Sequence, residues 1–134
     1  MKRFLTILFV MIIALPAISQ TDNGCGNGSV QNLAKKYKLY KTKNMWTFLE
    51  LETFSGRIWQ VQYSVEGDSY RFKTTLNGDS MLPYSDDIGA YAGRFELYST
   101  ENMYNFIMLD TETGNTWQVQ WSTEYKNRGV LRIW

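Results

Sequence analysis

Two stretches decide the fold: Trp117-Gln118-Val119-Gln120-Trp121-Ser122 and, fifty-eight positions earlier, Trp59-Gln60-Val61-Gln62-Tyr63-Ser64. In both, large apolar side chains alternate with Gln and Ser. Successive side chains leave a strand on opposite sides, so a period of two marks an antiparallel strand with one face toward a core. Working outward, residues 37–76 align with 95–134 without a gap, and 15 of the 40 pairs are identical. Leu39-Tyr40, Thr42, Asn44-Met45 and Phe48 recur as Leu97-Tyr98, Thr100, Asn102-Met103 and Phe106. Self-similarity at a fixed spacing means one supersecondary unit present twice.

Each unit reads as four strands. Residues 47–53 and 105–111 form a second strand ahead of the Gln-rich one. The two are joined by Phe54-Ser55-Gly56-Arg57 and by Glu112-Thr113-Gly114-Asn115, with Gly where a short hairpin loop needs positive φ. Residues 37–42 and 95–100 supply a first strand, and 70–74 and 129–134 a fourth. The linker 77–94 carries Asn77-Gly78-Asp79, Pro83 and Asp86-Asp87, all loop formers, with room for one helical turn near 85–92. The expected fold is all-β: two tandem four-stranded antiparallel meanders packed about a pseudo-two-fold axis, as a barrel or sandwich of about eight strands. Two copies are too few for a solenoid, and bare edges in a chain this rich in aromatic residues favour closure.

The chain has 134 residues, 44 % hydrophobic and 20 % charged, the balance of a globular domain. Five Trp, nine Tyr and seven Phe supply the apolar area that a small domain needs. There is no His, which excludes Ser-His-Asp and Cys-His nucleophilic sites, histidine general bases and the usual zinc ligand sets. Lys2 and Arg3, the apolar run 4–15, Pro16 and Ala17-Ile18-Ser19 have the layout of a secretory signal peptide cleaved before Gln20. A twelve-residue helix rises about 18 Å against roughly 30 Å of hydrocarbon, so no membrane span is expected. The organisation is then a signal peptide at 1–19, a flexible segment at 20–34 and one β domain at 35–134. Loss of Lys2 and Arg3 leaves 12 basic against 13 acidic side chains, and no global field draws the domain to nucleic acid. Cys25, in Gly24-Cys25-Gly26-Asn27-Gly28-Ser29, reads as an unpaired thiol on a polar tail, with an intermolecular disulfide or a lipid anchor as alternatives. Asn27-Gly28-Ser29 also fits the glycosylation sequon.

The repeated motif, Leu-Tyr-x-Thr-x-Asn-Met followed by Leu-(Glu/Asp)-Thr-x-x-Gly-x-x-Trp-Gln-Val-Gln, covers about 40 residues twice. It resembles small secreted proteins, and modules of larger ones, found in bacteria of the Bacteroidetes type. The resemblance implies an exported protein, periplasmic or extracellular. It brings no catalytic or binding residue with it.

Several groups are candidates for chemistry. Glu50 and Glu52 share a strand face, and a carboxylate pair is what glycoside hydrolysis requires. The position of Glu50 is Met108 in the second copy, so pairing with Lys or Arg across strands is the plainer explanation. Asp110 and Glu112 are the closely spaced acids of the second copy. Asp79, Asp86 and Asp87 lack the spacing of a calcium loop and read as turn residues. Lys35, Lys36, Lys38, Lys41 and Lys43, interleaved with Tyr37 and Tyr40, read as a solvated edge strand guarded against strand addition. Trp59, Val61 and Tyr63 with Trp117, Val119 and Trp121 are expected in the core. The second strand is apolar on both parities, with Trp46, Phe48, Tyr104 and Phe106 opposite Leu49, Leu51, Ile107 and Leu109. It is therefore expected to be covered on both sides; the alternative is an exposed platform of rings. A ligand face, if present, is expected at Tyr40, Trp46, Tyr98 and Tyr104 with Gln60, Gln62, Gln118 and Gln120, since flat apolar surfaces ringed by amides suit polyols. The expected function is a non-catalytic exported module that recognises a protein or a glycan, without cofactor or metal. A carboxylate-dependent hydrolase, and an inhibitor or structural protein of the cell envelope, are the alternatives.

Overall fold

A computed structural model describes residues 34–83 and 89–134. The leader-like segment, Cys25, the sequon and Asp86-Asp87 lie outside the described residues. The chain forms β1 (Tyr37–Lys41), β2 (Thr47–Glu52), β3 (Ile58–Gln62), β4 (Phe72–Asn77), β5 (Phe95–Ser99), β6 (Asn105–Asp110), β7 (Thr116–Gln120) and β8 (Gly129–Ile133). Strands β1 to β4 make one antiparallel meander and β5 to β8 a second, each with its strands in chain order. The fold is thus all-β, an internal repeat built as a sandwich of two open sheets. No described helix is long and apolar enough to cross a membrane.

The two hairpin loops between β2 and β3 and between β6 and β7 close as the sequence predicts, with Gly56 at φ 79° and Gly114 at φ 74°. Each amide of these glycines donates to the carbonyl four residues back, Glu52 or Asp110. Single 3-10 turns at Asp68–Tyr70 and Tyr125–Asn127 precede β4 and β8, so the fourth strand of the first repeat starts at Phe72 rather than Tyr70. Those turns also show that the repeats are gapless only as far as Glu66 and Glu124. Val61 pairs with Lys73, whereas its counterpart Val119 pairs with Val130. The first repeat therefore holds one extra residue in the turn, at Gly67, and a second at a bulge beside Ile58 in β4.

Each sheet has a tryptophan face, carrying Trp59 and Val61 or Trp117 and Val119, and a glutamine face, carrying Gln60 or Gln118. The core is made from unlike faces. In the first repeat, Leu49, Leu51, Ile58 and Gln60 of the glutamine face are all 0 % exposed. In the second, Phe95, Leu97, Phe106, Met108, Trp117, Val119 and Trp121 of the tryptophan face are buried. The sheets consequently stack front to back, with the tryptophan face of the second repeat on the glutamine face of the first. A two-fold axis would bury the same residues twice, and it does not occur here. Trp59 and Val61 are half-buried and Tyr63 is exposed, contrary to the expectation that they lie in the core.

Equivalent positions accordingly meet across the sandwich. Lys43 Nζ donates to the carbonyl of Glu101, its counterpart fifty-eight residues on, at 2.7 Å, and lies 3.6 Å from its carboxylate. Thr53 accepts the Phe95 amide on its carbonyl at 2.9 Å and the Gly93 amide on its hydroxyl at 2.9 Å, fixing where the second sheet begins. β4 ends at one edge of the first sheet, whereas β5 starts beside Thr53, close to β1 at the other edge.

Candidate functional site

Among the described residues, front-to-back stacking leaves one tryptophan face without a partner. On the first repeat the antiparallel register brings Leu39 beside Glu50, Glu50 beside Trp59 and Val61 beside Lys73 on that face. Tyr37 is 48 % and Leu39 58 % exposed, although their counterparts Phe95 and Leu97 are buried. Rings form two small clusters: Tyr37 with Trp59 at 6.4 Å, and Tyr63 with both Trp46 at 5.3 Å and Phe48 at 6.1 Å. Tilted pairs at these distances match the edge-positive, face-negative character of aromatic rings.

A charged pair crosses the middle of this face. Lys73 Nζ lies 2.5 Å from Glu50 Oε1 and 4.6 Å from the centre of the Trp59 ring, so one ammonium serves a carboxylate and a π face. In the second repeat the same two positions are Met108, buried, and Val130. There Arg132 of β8 covers Trp117 at 4.7 Å instead.

The two acids Glu50 and Glu52 are both engaged by neighbouring side chains. Glu50 is engaged by Lys73. Glu52, 4 % exposed, closes its hairpin loop by accepting from Ser55, from Arg57 at 3.1 Å and from Tyr37 at 3.0 Å, with Lys36 at 3.3 Å. Burial alone would raise its pKa; the bonds from Ser55, Arg57, Tyr37 and Lys36 outweigh that and hold it at about 2. The second repeat repeats the device more deeply. Asp110 accepts from Arg94 at 3.0 and 2.8 Å in a two-point pair and from the Thr113 hydroxyl at 2.8 Å. Its pKa is lowered against burial by Arg94, Thr113 and the Glu112 amide, and Arg94, tied to Asp110, is raised. Arg94 also meets Glu112 at 3.0 Å. These carboxylates are locks on loops.

The residues expected to share a ligand face are scattered. Gln60 is 0 % exposed between the sheets, and its amide nitrogen and oxygen, like the hydroxyls of Tyr40 and Thr47, have no hydrogen-bond partner among the described residues. Gln62 donates to the Tyr70 carbonyl at 3.3 Å. Trp46 and Tyr104 are exposed beside the starts of β2 and β6, where Tyr104 packs on Trp121 at 5.2 Å. Tyr98, Gln118 and Gln120 do share the outer glutamine face of the second repeat; Tyr98 bonds to Glu96 at 2.7 Å and Gln118 to Asn105 at 2.9 Å. An open hollow of about 250 Å³ lies there, lined by Gln118, Gln120, Asn127 and Arg128. The expectation that β2 and β6 are covered on both sides is corrected as well, since each is covered on one side only.

The lysines sit as an edge strand requires, β1 being the border of its sheet and exposed along most of its length. Lys36 pairs with Glu52, and Lys38 lies 4.9 Å over the Tyr40 ring. Asp79 is exposed in the turn after β4, with its amide on Asn77. Sequence reasoning missed Tyr37, Leu39 and Lys73 as members of one face. The signal was in the differences between copies: where one has Glu50 and Lys73 and the other Met108 and Val130, the charged copy is the one facing water. Comparison of the chain with protein-family models, with curated proteins and with solved structures returned no match.

Proposed function

We propose that this protein is a non-catalytic exported interaction module whose binding surface is the outer tryptophan face of the first repeat, and that its partner is a protein surface. One observation carries the reading: around the Glu50–Lys73 pair this face presents Tyr37, Leu39, Trp59 and Val61, whose counterparts Phe95, Leu97, Trp117 and Val119 the second repeat buries against the first. A surface of that kind already has a protein counterpart within the same chain. Export is supported by the leader-like residues 1–19.

A glycan is less well served. Sugar rings stack on unobstructed aromatic planes, and the Trp59 plane carries the Lys73 ammonium. Hydrolysis by Glu50 and Glu52 is disfavoured because Glu52 is buried and held by Ser55, Arg57, Tyr37 and Lys36, and Glu50 is engaged by Lys73, which leaves neither carboxylate open to a substrate.

Hydroxyl-radical footprinting tests the surface. Tyr37 and Leu39 are expected to be oxidised in dilute purified protein and protected in the host envelope. Equal oxidation in both settings refutes the reading. On a glycan array the protein is expected to cleave nothing; cleavage that disappears in Glu50→Gln overturns the non-catalytic assignment.

A further inference from the structure

We infer that the partner of the open tryptophan face is the outer glutamine face of a second copy of this chain, so that copies add front to back in an open-ended stack. The inference rests on the proposed binding surface and names its occupant.

The interface inside the chain sets the pattern. It joins unlike faces, and an interface between unlike faces leaves both of its halves unused at the two ends. The lower end presents Tyr37, Leu39 and Trp59, counterparts of the buried Phe95, Leu97 and Trp117. The upper end presents Ile107, Leu109 and Gln118, counterparts of the buried Leu49, Leu51 and Gln60, with Leu131 65 % and Ile133 42 % exposed beside them. Placing a second copy on the upper end repeats the geometry the chain already contains.

Charge supports the same occupant. Within the chain, Lys43 of the first repeat meets Glu101 of the second at the equivalent position. One step along the stack, Glu101 of one copy would meet Lys43 of the next, again with opposite sign. Lys38 and Glu96, another equivalent pair of opposite charge, line one hollow between the sheets and would alternate likewise. The Glu50–Lys73 pair on the lower face has to be buried on stacking, and the second repeat carries Met108 and Val130 there. The pair makes the junction between copies weaker than the one within the chain, and hence reversible.

Sedimentation of the purified protein over a concentration series up to about 1 mM is the test. The weight-average mass is expected to climb without a plateau. Leu39→Lys, on an exposed lower-face site, and Leu131→Lys, on an exposed upper-face site, should each stay monomeric, as each has lost one end. Mixed together they should form a one-to-one dimer and stop there, because one intact face of each kind remains. Glu50→Met with Lys73→Val should associate at least tenfold more tightly. Circular dichroism identical to the parent's confirms that each variant is folded. A parent protein that remains monomeric throughout, a Leu39→Lys protein that still associates, or a mixture that does not pair overturns the inference. A monomer whose Tyr37 and Leu39 are nonetheless protected in the envelope would sink the self-stacking alone and leave the binding surface in place with another partner.

Discussion

Phe48 and Phe106 are the same residue at the same position of the two repeats, and only the direction of stacking separates them. Phe106 is 3 % exposed in the core, whereas Phe48 lies half-buried on the open face beside Tyr63. Truncating a core Phe to Ala costs about 3–5 kcal/mol, the transfer term plus the cavity. At the half-buried site water can fill the space and only part of the transfer term is lost, giving about 1 kcal/mol. For the second strands the glutamine face reverses the order: Leu49→Ala should cost about 2–5 kcal/mol and Ile107→Ala about 1 kcal/mol. The pattern is crossed, with the second repeat sensitive on one parity and the first on the other. Urea unfolding followed by far-ultraviolet circular dichroism measures all four. With roughly 4–8 °C per kcal/mol for a domain of this size, the melting points of Phe48→Ala and Phe106→Ala should differ by about 10 °C or more. Equal losses for the two phenylalanines would mean that like faces meet, and the front-to-back packing would be wrong.

Three other outcomes are expected. Gln60→Leu should stabilise the protein by about 1 kcal/mol or more, because it removes two buried amide atoms without partners, whereas Gln118→Leu should be near neutral; equal urea midpoints for parent and Gln60→Leu would count against this. Glu52 has its pKa lowered from 4.5 to about 2, so its stabilisation is complete above about pH 4.5 and is lost as pH falls toward 2; it is worth about 3 kcal/mol, and the acid limb of a stability–pH curve should flatten in Glu52→Gln. Arg94→Met strands Asp110 in the interior and should cost about 3–5 kcal/mol in thermal unfolding, against about 1 kcal/mol or less for Lys36→Met at the exposed equivalent position.

The repeat, the strand order and the hairpin glycines were legible because each is local: a period of two, a turn residue and a fixed spacing determine them. Which face goes inside was not, because the repeats bury opposite faces. Averaged over the copies, β2 and β6 look apolar on both sides, as Phe48 with Leu49 and Phe106 with Ile107 illustrate. That pattern suggests a strand covered twice, whereas each copy uses one side. Identical positions such as Trp59 and Trp117 carry no information on the choice. Differing ones do: Glu50 against Met108 marks the tryptophan face of the first repeat as wet, and Ile58 against Thr116 marks its glutamine face as dry. The residues expected on one ligand face are scattered for the same reason: Gln60 and Gln118 are equivalent in sequence, but one is sealed between layers and the other lines an open hollow.

The junction of unlike faces also bears on how the two halves could have diverged. In an assembly of two identical units related by a two-fold axis, any amino-acid change at the contact is felt on both sides at once and is either tolerated twice or harmful twice. Here each side of the contact draws on a different surface of the ancestral module, so a change improves or spoils one surface only. The two halves accordingly carry different residues where their surroundings differ, Glu50 toward solvent against Met108 in the interior and Ile58 in the interior against Thr116 on the outer face.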